Sequence, residues 1–170
     1  MIIIDKNNFD AVYSLLESSF PPDERRSYEE QKKLLDEKEY KIYAKFDGKT
    51  LVGFLATWNF GTQAFIEHFA VSPEFRNNGE GSRMLAETIA ILGVPVCLEV
   101  EKPEDELTTR RINFYKRNGF FLNLYPYVQP AYSSDKEPVP LLIMSTGSNL
   151  SEDDFKKVKS SLYRKVYKVE

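Results

Sequence analysis

The sequence has very few of the residues that build disulfides and metal sites. Among its 170 residues there is one cysteine, Cys97, and one histidine, His68. A single cysteine excludes an internal disulfide, and a single histidine excludes a site made of several histidine ligands. We therefore predict that the protein holds no metal.

Long apolar runs and a strong excess of positive charge are also absent. No apolar run approaches the roughly 20 residues that span a bilayer, and charge begins at Asp5, too early for a signal peptide. The 23 basic and 26 acidic residues give a net charge of -3. We therefore predict a cytoplasmic protein that binds neither membrane nor nucleic acid and that suits a positively charged substrate such as an amine.

The remaining composition is that of one folded domain. Hydrophobic residues make up 42% of the chain and charged residues 29%, so residues 1–170 can bury a real core as a single domain. Hydrophobic spacing predicts a strand, two helices, three strands, a helix, a strand, a helix, two strands and a final helix. This order predicts an α/β fold with a mixed central sheet of about six or seven strands flanked by helices.

Local signals define several boundaries within this order. Asp47-Gly48 predicts a hairpin turn, and Asn118-Gly119 predicts a helix end because glycine adopts the left-handed conformation there. Residues 126–138, with Gln129-Pro130-Ala131-Tyr132 near the centre, read as a long loop, and loops of this length are often functional.

The segment from Arg76 to Ser82 is the most informative part of the chain. It lies between a predicted strand and an amphipathic helix, and Gly79 and Gly81 leave the backbone open. Amides in the first turn of a helix have no partner within the helix, and the helix dipole favours negative charge there. The segment can therefore cradle a pyrophosphate, with Arg76 and Arg83 available for charge pairing, although a turn without a ligand has the same pattern.

Other phosphate-binding motifs fit less well. Gly48-Lys49-Thr50 resembles the end of a Walker loop, but Tyr43 stands where the motif needs glycine. A dinucleotide fingerprint would need a third glycine at Met84.

The spacing Arg-x-x-Gly-x-Gly instead resembles the acetyl-CoA loop of the GCN5-related N-acetyltransferase (GNAT) superfamily. Two further motifs follow in the order that the superfamily shows. Leu98-Glu99-Val100 resembles a strand of its ribosomal-protein N-acetyltransferases, and residues 111–120 resemble its helix that carries Phe-Tyr and ends at Gly-Phe. The resemblance implies the fold of this superfamily, acetyl-CoA as cosubstrate, and transfer of acetyl to a primary amine.

The resemblance also implies which residues bind acetyl-CoA. They belong to the strand before the loop, to the loop itself and to the Phe-Tyr helix: Phe69, Ala70, Val71, Arg76, Asn77, Asn78, Gly79, Glu80, Gly81, Ser82, Asn113 and Tyr115.

The same resemblance assigns the proton chemistry. Tyr115 is the expected general acid, since a phenol with a pKa of about 10 is protonated at neutral pH and can protonate a departing thiolate. Glu99 is the first candidate for the base that deprotonates the amine, and Glu67 is the second. Strand alternation would place Glu67 and Phe69 on one face and His68 on the other. A salt bridge to Arg110 or Arg111 is the structural alternative for either glutamate.

Several alternatives remain open. Cys97 would serve an acyl-enzyme mechanism, but it lies in an apolar run, where packing is the simpler role. Arg25 and Arg26 read as a solvated helix start or as contacts to an anionic acceptor, because the first two helices flank the acceptor groove in the superfamily. A CoA-binding sensor or interaction module without turnover is the rival function. The acceptor is a small-molecule or peptide amine, and a homodimer is compatible with the sequence.

Overall fold

The computed structural model describes all residues from Met1 to Glu170. The chain forms two compact units, Met1–Val96 and Cys97–Glu170. Together they contain seven strands and five α-helices, which confirms the predicted α/β class and the predicted number of strands. None of the helices combines the length and the apolar character that crossing a bilayer requires.

The first unit is an antiparallel meander with three helices. Its elements are β1 (Ile2–Ile3), α1 (Phe9–Ser19), α2 (Tyr28–Lys33), β2 (Tyr40–Asp47), β3 (Thr50–Asn59), β4 (Ala64–Val71) and α3 (Glu80–Leu92). Strands β1 to β4 pair in sequence order. Helices α1 and α3 pack on β3 and β4, and the largest fully buried side chains include Trp58, Phe9, Phe54 and Phe65.

Local chemistry explains the boundaries in this unit. Gly48 has a φ of 59° and closes the predicted β2–β3 hairpin, in which Asp47 faces Thr50. Helix α2 begins with a capping box, in which the Ser27 and Glu30 side chains each bond the other residue's backbone amide.

Gly53 marks a close approach of β3 to β4. A methyl group at this position would lie 2.6 Å from the Ala70 carbonyl oxygen and 3.2 Å from the Met84 side chain. Because the Ala70 oxygen belongs to the backbone, we expect Gly53→Ala to destabilise the protein by about 1–3 kcal/mol. Urea unfolding measures this change, and an unaltered midpoint would show that the two strands separate without cost.

The second unit has three strands in the order β5-β7-β6. It consists of β5 (Val96–Val100, whose first residue closes the first unit), α4 (Glu106–Arg117), β6 (Phe120–Gln129), β7 (Val139–Thr146) and α5 (Glu152–Ser161), followed by a π-helical turn over Leu162–Val166. Strand β7 pairs antiparallel with both β5 and β6. Gly119 has a φ of 87° and ends α4 as predicted.

The loop predicted over residues 126–138 is shorter in the structure, because β6 continues through Pro126 to Gln129. The register of β6 against β7 shifts between Asn123 and Tyr127, which forms a bulge. Proline has no amide hydrogen to donate to a ladder, and a bulge is one of the few places where a strand tolerates it. The loop therefore spans residues 130–138.

Candidate functional site

The glycine-containing segment forms the turn into a helix that the sequence predicts. After β4 ends at Val71, a short 3-10 turn over Pro73–Phe75 leads to Asn77, with a φ of 64°, and to Gly79, with a φ of 83°. Gly79 is the residue that caps the start of α3. Two residues in the left-handed region thus turn the chain sharply between strand and helix.

Backbone amides at the start of α3 are left open by this turn. The Glu80 amide donates to Asn78 Oδ1 at 3.3 Å, and the Arg83 amide begins the helical ladder on Gly79 O at 3.1 Å. The amides of Gly81 and Ser82 donate to no protein acceptor. They lie at the positive end of the helix dipole, which favours an anion.

The side chains around the turn have distinct roles. Arg76 is exposed, and its Nε donates to the Val71 carbonyl at 2.8 Å, which leaves the two terminal nitrogens for a ligand. Arg83 instead donates to the Asn78 carbonyl at 2.7 Å and lies 3.6 Å from Glu80. Lys45 donates to Glu80 at 2.7 Å, and this bond is the main reason that the pKa of Glu80 is lowered. Arg76 is therefore the cation of the turn with the most bonding capacity to spare.

The strand before the turn carries Glu67 at a β-bulge. On β3, Ala56 faces His68, and the next residue, Thr57, faces Ile66. Glu67 is therefore the extra residue of β4 at this point. A bulge redirects a side chain and is common beside functional sites. Phe69, Ala70 and Val71 then resume regular pairing with β3.

Both oxygens of the buried Glu67 carboxylate accept hydrogen bonds. Arg26 Nη1 donates to Oε1 at 2.6 Å, and Trp58 Nε1 donates to Oε2 at 2.9 Å. Burial acts to raise the pKa of Glu67, but the Arg26 charge, His68 and these two bonds outweigh it and lower the pKa. Glu67 is thus held as a carboxylate in an ion pair with Arg26, whose side chain is 9% exposed.

His68 contacts the same connection between α1 and α2. Its Nε2 donates to the Glu24 carbonyl at 2.8 Å, and its ring meets Phe20 edge-on at 4.8 Å. Burial lowers the pKa of His68, so the ring is neutral at neutral pH. His68 therefore acts here as a structural hydrogen-bonding residue.

Three expectations for this region are wrong. The bulge breaks the alternation, and Glu67 and His68 both reach the segment Phe20–Arg26 instead of opposite faces. The partner of Glu67 is Arg26, whereas Arg111 pairs with Glu101 at 2.5 Å. Arg26 is neither solvated nor free for an anionic acceptor, because β4 already holds it.

The second unit contains the other predicted catalytic residues. Tyr115 lies on α4, 8% exposed, with its ring between Phe114 and Phe120 at 5.3 and 5.6 Å. Burial raises the pKa of Tyr115 to about 12, with an opposing effect from Arg111. Its hydroxyl makes no hydrogen bond with the protein. Asn113, two residues earlier on α4, is exposed.

Glu99, on β5, accepts hydrogen bonds from two tyrosines that the sequence analysis did not identify. Tyr127 donates to Oε1 in a short hydrogen bond, and the Tyr167 hydroxyl lies 2.9 Å from Oε1 and 2.7 Å from Oε2. Neither tyrosine belongs to a motif, and both are far from Glu99 in sequence. Neither arginine proposed as a salt-bridge partner contributes to these bonds.

Cys97 is buried two residues before Glu99 on the same strand. Burial, aided by the Glu99 charge, raises the pKa of the thiol to about 12. A nucleophilic cysteine needs a lowered pKa, so the packing interpretation of Cys97 is favoured over an acyl-enzyme.

Comparisons with known proteins agree with this fold. Residues 9–120 match the model of the Acetyltransferase (GNAT) family. A solved structure from Bacteroides thetaiotaomicron, assigned to the GNAT acetyltransferases, is 34% identical with a TM-score of 0.91 and covers 99% of this chain and 98% of its own. No curated protein matches the sequence.

Two more distant structures share the fold alone. The ribosomal-protein-S18-alanine N-acetyltransferase from Escherichia coli is 19% identical, with a TM-score of 0.65, and the match covers 90% of this chain and 96% of that one. A second structure, from Bacillus anthracis, is described as a streptothricin acetyltransferase in complex with acetyl-CoA. It is 17% identical with a TM-score of 0.52, and the match covers 74% of this chain and 70% of that one. The family model and the 34% identical structure show that this chain belongs to the GNAT family of acetyltransferases.

Proposed function

We propose that the chain is an acetyl-CoA-dependent N-acetyltransferase that acts as a single domain over residues 1–170. It moves the acetyl group to a primary amine by direct attack, without a covalent enzyme intermediate. The acceptor is a small-molecule or peptide amine.

The observation that carries this proposal is the start of α3. In a chain of the GNAT family, the open amides of Gly81 and Ser82 lie at the positive end of a helix, next to an arginine with free terminal nitrogens. Such a site suits the pyrophosphate of CoA. We assign the pyrophosphate to the turn from Arg76 to Ser82, the pantetheine arm to the backbone of residues 69–71, and a further cofactor contact to Asn113.

Tyr115 is the proposed general acid. A pKa of about 12 keeps the phenol protonated at neutral pH, and the hydroxyl has no competing protein acceptor. In the reaction the amine nitrogen attacks the thioester carbonyl carbon, the carbon–sulfur bond breaks, and the sulfur takes the proton of Tyr115.

Glu99 is the proposed base, in preference to Glu67. An alkylammonium with a pKa of roughly 10.4 must lose a proton before it attacks, and a carboxylate can accept that proton directly or through water. The Glu67 carboxylate is fully buried, and its ion pair with Arg26 lowers its pKa, which weakens it as a base. Glu99 is partly exposed and its hydrogen bonds come from neutral phenols. Glu67 is then a structural residue of β4.

Acetyl-CoA binding can be measured by thermal unfolding. At a concentration one hundred times the Kd, a ligand stabilises the folded protein by about 2.7 kcal/mol, which corresponds to a rise in Tm of roughly 5–10 °C for this size. We expect Ser82→Asp to abolish this rise because its carboxylate repels the pyrophosphate. The helix itself tolerates an acid in its first turn.

A matched control is Ser151→Asp, which makes the same change at the start of α5 and should keep the full shift. Turnover is then followed by thiol release with an alanyl peptide, lysine, spermidine and kanamycin as acceptors. Absence of any thermal shift in the wild type would refute the proposal. A shift without turnover of any amine would favour the rival, a CoA-binding module without catalysis.

A further inference from the structure

Two departures from regular backbone structure bring tyrosine hydroxyls to Glu99. The first is the bulge of β6, where the register against β7 shifts between Asn123 and Tyr127. Regular pairing would fix the direction of each side chain by strict alternation, whereas a bulge redirects the residues that follow it. Tyr127 is 3% exposed and donates to Glu99 Oε1.

The second departure is the π-helical turn over Leu162–Val166. The Tyr167 amide donates to the Leu162 carbonyl at 3.1 Å, a bond across five residues, where a regular helix would use four. The Val169 amide then bonds the Tyr163 carbonyl at 2.9 Å. π-Helical turns are rare in proteins overall, and many of those that occur lie at functional sites. Here the turn brings the Tyr167 hydroxyl within 2.7 Å of Glu99 Oε2.

We propose that Tyr127 and Tyr167 are positioning residues that hold the Glu99 carboxylate in the orientation in which it accepts the proton of the acceptor ammonium. This inference rests on the proposed function, since it concerns the base of that reaction. Neither tyrosine transfers a proton itself: each keeps its phenolic hydrogen and donates it to a carboxylate oxygen.

The chemistry of the three groups supports this arrangement. A carboxylate accepts at about four lone-pair positions, so its two oxygens can bind both phenols at once. Hydrogen bonds to an ionised acceptor are roughly twice as strong as neutral ones, and two of them from different elements fix both the position and the rotation of the carboxylate. A base held in this way needs no reorganisation when the substrate arrives.

Neighbouring aromatic rings hold the two tyrosines in turn. The Tyr132 ring, from the 130–138 loop, lies 5.2 Å from Tyr167, and the Tyr163 ring lies 6.0 Å from Tyr127. The Tyr163 hydroxyl is engaged elsewhere, on the Val128 carbonyl at 2.5 Å. Four titratable groups of this unit interact with Glu99: Cys97, Tyr127, Tyr163 and Tyr167. The pKa values of Cys97, Tyr127 and Tyr163 are all raised, so these three groups are neutral at neutral pH.

A double-mutant cycle tests whether Tyr167 acts through Glu99. We expect Tyr167→Phe to lower kcat about tenfold, the effect of one charge-assisted hydrogen bond, with little change in KM for acetyl-CoA. In an enzyme that already carries Glu99→Gln, the same change should have almost no effect on kcat. Tyr127→Phe should behave in the same way and serves as the second variant if Tyr167→Phe folds poorly.

The pH profile supplies a readout that a purely structural role would not move. Donors to a carboxylate favour its charged form, so their loss makes Glu99 easier to protonate. The acidic limb of kcat/KM should therefore move to higher pH in Tyr167→Phe. Tyr125→Phe is the matched control, because the Tyr125 hydroxyl donates to the Leu150 carbonyl and not to Glu99.

The outcomes separate the two proposals. Full activity in Glu99→Gln would overturn the assignment of the base, and with it this inference. A large loss in Glu99→Gln, combined with an unchanged rate and pH profile in both tyrosine variants, would leave the proposed function standing and overturn the inference alone. Additive losses in the cycle would also overturn it, because they would mean that the tyrosines act independently of Glu99.

Discussion

Tyr115→Phe is expected to lower kcat by about 10²–10⁴-fold, the range that general acid catalysis contributes. The substitution removes one oxygen from a ring that Phe114 and Phe120 already hold, so the packing of α4 should persist. The lost hydroxyl makes no hydrogen bond with the protein, and its removal leaves no partner unsatisfied. The loss should therefore appear in turnover, measured as thiol release, with little change in Tm.

Two measurements complete this test. The thermal shift with acetyl-CoA should remain close to that of the wild type, because we assign the phenol to the departing sulfur and the pyrophosphate to the turn from Arg76 to Ser82. Tyr125→Phe, which removes another phenolic hydroxyl of the second unit, should keep full activity. Wild-type turnover by Tyr115→Phe would mean that water or another group protonates the thiolate.

Arg26→Met is expected to destabilise the protein by about 3–5 kcal/mol, the usual consequence of leaving one partner of a buried ion pair without the other. The Glu67 carboxylate would keep its bond from Trp58 but lose the charge that compensates its burial. Urea unfolding gives the change directly. A loss below about 1 kcal/mol would contradict the assigned role of the pair.

The double variant Arg26→Met/Glu67→Gln is the control, because it removes both charges while the glutamine side-chain oxygen can still accept the Trp58 hydrogen bond. It should recover most of the lost stability. Acid titration checks the same pair. Since the pKa of Glu67 is lower in the folded protein than in the unfolded chain, the pair stabilises the fold above the ordinary carboxyl pKa of about 4.3. This contribution disappears as the pH falls through the folded value, and Glu67→Gln should lack that part of the acid dependence.

The parts of the fold that sequence reasoning predicts well depend on local chemistry. The hairpin at Gly48, the end of α4 at Gly119 and the turn at Gly79 each follow from a glycine in the left-handed region. Such signals lie within a few residues of their effect, and no distant contact competes with them.

The prediction fails where an irregularity interrupts a period. Hydrophobic alternation cannot show that β4 carries one extra residue at Glu67, so the faces of Glu67 and His68 were predicted wrongly. The same limit applies to β6, which continues past Pro126 across a register shift against β7. The extra residue of a bulge leaves no mark in composition, and its position depends on how two strands fit each other.

The residues of the candidate site also differ in whether a local sequence signal points to them. Motifs predicted the turn from Arg76 to Ser82, Tyr115 and Glu99, because each motif is contiguous in sequence. They gave no indication of Tyr127 or Tyr167, or of Glu67 as the partner of Arg26. These contacts join residues that are 28, 68 and 41 positions apart in the sequence. Side-chain pairs at such separation depend on the folded topology.

The pairing of Arg26 with Glu67 has a consequence for engineering. The connection from Phe20 to Arg26 contacts β4 through the ion pair of Arg26 with Glu67 and through the hydrogen bond from His68 to the Glu24 carbonyl. A change in the length of this connection would therefore also disturb the two contacts. In a chimera, a connection taken from a relative would bring the relative's own residue to the position of Arg26. That residue would lie against the Glu67 carboxylate, which already accepts a hydrogen bond from Trp58. Such transplants should succeed only when the donor's anchor and positions 58, 67 and 68 are moved together as one unit.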